Sequence, residues 1–267
     1  MAKKEKTPAK SPKKQGWKIV LYVLGILLWA GAAVIVSQFV VGYFMVWILG
    51  TARFNQPVWT AIYSALFYTL AMFVVIYIPP LILKQKKTDK NSEKLKLPSR
   101  EELGLKGFPT WTDIGLAPIG FVVYLLLAAG ITAIFSQFSW FNASEVQDVG
   151  FSYYLIGFDR LVAFITIVMI APIAEEIIFR GWLYGKLRAK LNTATTNVIS
   201  MTVSSLLVSL LFGFVHMQWN VSVNVFAMSL VLCALREITG TIYSGIILHM
   251  LKNGVAFYLL YILGVGV

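Results

Sequence analysis

The chain is short of charge, of cysteine and of histidine. Only 13% of its 267 residues are Asp, Glu, Lys or Arg, while 58% are apolar. A soluble domain averages about 25% charged and about 45–50% apolar residues, so a soluble globular fold is excluded. Disorder needs low hydrophobicity and is excluded with it. A single cysteine, Cys233, leaves no disulfide framework and no CxxC metal pair. Regular alternation of apolar and polar residues is missing too, which removes a membrane β-barrel. What is left is an all-α, polytopic membrane protein, because lipid requires each spanning segment to satisfy its own backbone polar groups.

Acid is the scarcer charge, 12 Asp+Glu against 23 Lys+Arg, for a net charge of +11. In this context the excess reads as basic loops held on the cytoplasmic side. The tail Lys3, Lys4, Lys6, Lys10, Lys13 and Lys14 interleaves no aromatics and carries no nucleic-acid motif. It is expected to be a disordered anchor near anionic headgroups, and nucleic acid is not an expected partner.

Eight apolar runs follow: 19–49, 59–83, 114–135, a fourth from Leu161 through Pro172, 198–215, 221–235, 242–251 and 255–267. A crossing takes about 20 residues. The first run is read as an uncleaved helix, since cleavage near Ala30-Gly31-Ala32 would expose more apolar chain. With the tail inside, segments 1–18, 84–112, 181–192 and 236–239 hold 19 of the 23 basic residues; the others are Arg53, Arg160, Arg180 and Lys252. That asymmetry favours about eight transmembrane helices with both termini cytoplasmic. The last two runs are short, which leaves six or seven full crossings open. The chain divides into the tail 1–18, two membrane helices and a basic cytoplasmic loop over 19–113, and a core over 114–267 enclosing a polar cavity.

Ionisable groups inside membrane spans are costly and mark function by default. Three clusters stand out: Glu175, Glu176 and Arg180; His216; and His249 with Asn253. Glu175 lies 11 residues before Lys186, about 16 Å along a helix and near the middle of a core about 30 Å thick. Glu175 and Glu176 point roughly 100° apart on a helix and need different partners. Glu176 and Arg180 are spaced i,i+4 and are expected to pair, which leaves Glu175 free for chemistry. His249 and Asn253 share one helix face. A structural ion-pair knot accounts for Glu176 and Arg180 but leaves the second carboxylate unexplained. His216 is harder to place. On a helix starting at Asn192 it lies 24 residues along, about 36 Å and past the far interface.

Two chemistries suit this set. A desolvated carboxylate can take a proton from a water that attacks a carbonyl, with His and Asn donors holding the developing oxyanion. Alternatively Glu175, His216 and His249 form a His₂Glu zinc site with an open position. Both hydrolyse an amide within the membrane. HExxH, GxSxG and Walker A motifs are all absent, as is a GxGD aspartate pair.

The ordered triple EExxxR, FxxxH and HxxxN resembles the CPBP (Abi) intramembrane proteases, which include the type II CAAX prenyl endopeptidases. Here the motifs are Glu175-Glu176-x-x-x-Arg180, Phe212-x-x-x-His216 and His249-x-x-x-Asn253, within roughly 170–255. The resemblance implies Glu175 as general base helped by His216, and His249 with Asn253 as the oxyanion site. It implies a structural or substrate-positioning role for Glu176 and Arg180. It also implies a metal-independent glutamate mechanism, with no cofactor expected and zinc as the alternative. The substrate is then a membrane-associated peptide or protein. Short loops and the basic tail suggest a bacterial cell membrane. The competing reading is a non-catalytic bacteriocin-immunity or scaffold protein of the same fold. A transporter fits less well, since no half-to-half repeat occurs.

Overall fold

In the computed structural model, which describes residues 12–85, 97–145, 151 and 155–264, every regular element is a helix. The start of the basic tail, Lys86, Lys87, Lys90, Lys94 and Lys96 of the basic loop, Asp148 and residues 265–267 lie outside the described residues. The elements are α1 (Pro12–Leu49), the short α2 (Thr51–Phe54), α3 (Pro57–Gln85), α4 (Trp111–Phe135), α5 (Gly157–Leu191), α6 (Asn197–Phe214), α7 (Trp219–Thr239) and α8 (Tyr243–Tyr261). Six of them, α1 and α3 to α7, are long and apolar enough to cross a membrane. The protein is an all-α, multi-pass membrane protein.

Two expectations change. The helix α1 begins at Pro12, so the last residues assigned to a disordered tail are helical; proline suits a first turn, where its missing N–H costs nothing. The seventh and eighth apolar runs are one helix, α8, continuous through Lys252, Asn253 and Gly254. Polar residues divide the run in the sequence but do not break a helix whose polar face is buried inside a bundle. The two ends of α8 therefore sit at opposite ends of the molecule. Ile242 N–H donates to Gly104 O (3.0 Å), and Tyr261 Oη donates to Phe151 O (3.4 Å).

Helices pack tightly where small residues allow it. A Cβ on Gly213 of α6 would lie 2.9 Å from Ser222 O of α7, so glycine there sets the α6–α7 approach. Loop 97–110 folds back under the bundle: a Cβ on Gly181 would lie 2.8 Å from Leu103 O. Asp113, buried, closes a capping box with Thr110 at the start of α4. It also accepts from Thr241 Oγ1 (2.6 Å) and Ser244 Oγ (2.9 Å), tying α4 to α8. Inside the bundle Tyr124 donates to Asn224 Oδ1 at 2.5 Å, joining α4 to α7.

Candidate active site

The central helix α5 is not uniformly α. Two π segments, Ile165–Ile170 and Ile177–Tyr184, flank the α turn Ala171–Glu176. The first has a cause in the sequence. Ala171 N–H bonds to Thr166 O, five residues back. In the same register Ile167 O would need the N–H of Pro172, which proline lacks. Asn253 of α8 takes that place: its Nδ2 donates to Ile167 O at 2.9 Å. A half-buried carbonyl left without a helix donor by proline is thus satisfied by the side chain that ends the HxxxN motif.

The two carboxylates that follow diverge. Glu176 is fully buried, at 0%, and its Oε1 accepts from Arg180 Nη1 (2.9 Å) and from His249 Nδ1 (3.0 Å). Arg180 is 1% exposed and lies 4.3 Å over the Phe212 ring. A Cβ on Gly245 would come within 3.1 Å of Glu176 Oε2, so glycine makes room for the carboxylate against α8. Glu175 points the other way, into a cavity of about 460 Å³ that His216, His249, Lys252 and Asn253 also line. Its Oε1 accepts from Tyr68 Oη of α3 at 2.5 Å. Its Oε2 stands 3.8 Å from His249 Nε2, outside direct hydrogen-bond range but close enough for one water to contact both.

His216 lies in the turn after α6, and α6 begins at Asn197 rather than Asn192, which shortens the run to His216 by about 8 Å. Its Nδ1 is 2.7 Å from Phe212 O, and its ring meets Phe212 edge-on at 4.9 Å. Phe212 also packs against His249 (6.0 Å) and Phe179 (4.9 Å), so one phenyl ring spaces the two histidines and the arginine. The structure therefore brings Glu175, His216, His249 and Asn253 to one cavity and puts Glu176 and Arg180 behind it.

Among the described residues no three His, Cys, Asp or Glu side chains converge as a metal site. The Nδ1 of each histidine is directed at a protein oxygen, the arrangement that orients an imidazole to act through its Nε2.

Two cavity residues escaped the sequence reading. Lys252 was set aside as one of four stray bases, although it stands between His249 and Asn253 on the cavity face of α8. Tyr68 is one of 12 tyrosines and sits in an otherwise apolar run. The available signal was a hydroxyl series at helical spacing, Thr60, Ser64 and Tyr68, all of which line the cavity.

Residues 157–255 match the family model described as type II CAAX prenyl endopeptidase Rce1-like. All seven motif residues fall inside that segment, and Tyr68 falls outside it. No curated protein and no solved structure gives a significant match to the chain. The similarity is confined to this segment, 99 of the 267 residues.

Proposed function

We propose, from the similarity of residues 157–255 to the Rce1-like model, an intramembrane endopeptidase that hydrolyses a peptide bond of a membrane-associated peptide or protein through Glu175-activated water. One observation carries the reading: of two adjacent buried-segment carboxylates, only Glu175 faces the cavity, while Glu176 is occupied by Arg180 and His249.

Glu175 Oε2 takes a proton from water as the oxygen attacks the carbonyl carbon. The carbonyl π electrons move to oxygen, and the oxyanion is stabilised by the second amide hydrogen of Asn253 and by His249 acting as an imidazolium, with Nδ1–H on Glu176 and Nε2–H toward the cavity. Collapse breaks the C–N bond, and Glu175 returns its proton to the leaving nitrogen. The products are a new carboxylate and a new amine. Glu176 acts as the orienting partner of His249 Nδ1, which directs Nε2 into the cavity. His216, held by Phe212 O, assists Glu175 from the opposite wall.

The end of the bundle carrying Lys106, Lys186, Arg188, Lys190 and Arg236 is assigned to the cytoplasm on the positive-inside rule, which makes the N-terminus cytoplasmic. The deciding experiment compares peptides released from membranes containing the wild type and Glu175→Gln. Peptides that appear only with the wild type support the reading. Identical release profiles overturn it.

A further inference from the structure

We propose that Tyr68 is a positioning residue for Glu175, so that the catalytic unit extends onto α3, outside the segment that matches the protease family. The proposal rests on the endopeptidase reading and deepens it.

The helix α3 presents four hydroxyl groups to the cavity, on Thr60, Tyr63, Ser64 and Tyr68. Three of them bond to backbone carbonyls of their own hairpin. Thr60 donates to Phe54 O and Gln56 O, Ser64 to Thr60 O (3.0 Å) and Tyr63 to Gln38 O (3.4 Å). Tyr68 alone crosses to α5, where its phenol meets Glu175 Oε1 at 2.5 Å. That length belongs to charge-assisted O–H···O⁻ bonds, about 2.5–2.7 Å.

A glutamate side chain has three rotatable bonds, and its terminal torsion is broad and nearly two-fold. Glu175 has neither the arginine nor the histidine bond that fixes Glu176. Without a donor its carboxylate rotates in the cavity, and neither oxygen is held toward the attacking water. The Tyr68 phenol removes that freedom. It occupies Oε1 and leaves Oε2, the oxygen 3.8 Å from His249 Nε2, as the one that receives the proton. The α3 ring is itself braced by Phe67, with centroids 4.6 Å apart. Misplacement of a catalytic group by about 1 Å costs about 10²-fold in rate.

The test uses the full-length protein in detergent and, as probe, a synthetic copy of a peptide released by wild-type membranes but not by Glu175→Gln membranes. Tyr68→Phe is expected to lower kcat about 10–100-fold, with KM within about twofold and an unchanged melting midpoint. p-Aminophenylalanine introduced at position 68 keeps the ring and an N–H donor, and it is expected to recover part of the lost kcat. A Tyr68→Phe variant with wild-type kcat overturns the proposal while leaving the endopeptidase reading intact. A rise in KM alone also overturns it, because Tyr68 then binds substrate instead. Should Tyr68→Phe fail to fold, the p-aminophenylalanine protein decides. Activity in it supports the donor role, and a folded but inactive protein overturns it. If wild-type membranes release nothing beyond Glu175→Gln, the endopeptidase reading and this proposal fall together.

Discussion

At the scale of residues, the site is a division of labour between neighbours. Glu176 has two cationic or N–H partners and no access to the cavity; Glu175 has the cavity and one phenol. The sequence spacing already separated them, because adjacent helical residues diverge and i,i+4 residues meet. Replacing Glu175 by Gln is expected to abolish peptide release without loss of folded protein in the membrane. His216→Ala and His249→Ala should be comparably severe, and combining either with Glu175→Gln should add nothing, since the groups act as a unit. Additive losses would mean that the residues work independently. Arg180→Ala should act differently. It removes the arginine from a buried carboxylate that keeps only His249, where loss of one partner of a buried pair costs about 3–5 kcal/mol. A marked drop in the melting midpoint in detergent is the expected readout, and an unchanged midpoint with lost activity would reassign Arg180 to substrate. Metal content belongs to this scale as well: the purified protein is expected to hold well under one zinc per chain. Stoichiometric zinc that restores activity to stripped protein would move Glu175, His216 and His249 to ligand roles.

At the scale of elements, Pro172 connects a local rule to the site. It removes the donor that Ile167 O would otherwise find, and Asn253 crosses from α8 to supply one. Pro172→Ala restores an N–H on α5 that competes for the same carbonyl. The expected outcome is a loosened Asn253 side chain and a severalfold lower kcat, with stability held or slightly raised. A kcat equal to that of the wild type would show that the Asn253 anchor has no part in turnover. This element was only half legible beforehand. Motif spacing announced α5, and the proline was visible. The π register was not, because apolar periodicity cannot distinguish a widened turn from an α turn when buried residues surround it on every side. For a similar reason α8 reads as two short runs. Lys252 and Asn253 interrupt hydropathy, yet both face the cavity and leave the backbone helix continuous. The depth of His216 depended on where α6 starts, and its polar lead-in, Asn192 to Thr196, stays outside the helix.

At the scale of the whole molecule, continuity of α8 makes one helix of two expected crossings, and so changes the face on which Leu263 is expected. With the Lys106 end cytoplasmic, Ser144 and Leu263 belong to the opposite face. Single cysteines at Lys106 and Ser144 should label from opposite sides of sealed vesicles, and one at Leu263 should behave like Ser144; Cys233 is buried and gives no background. Co-labelling of Leu263 with Lys106 would restore two separate crossings for the last runs. The membrane class, the charge asymmetry and the cavity's motif residues could all be read from composition and spacing. The share of the site supplied by α3 could not, because a contact between residues 68 and 175 has no local signature in an apolar run.

The locality of the Glu176–Arg180 pair bears on how the protein is made. Insertion of a lone charge at the middle of a helix costs about 2.5–3.5 kcal/mol. A pair four residues apart on one helix forms as soon as that helix does, before α8 has left the ribosome. The α5 segment can therefore enter the bilayer with its arginine already neutralised. His249 joins Glu176 only when α8 arrives, so the site is completed after α5, α6 and α7 have been made.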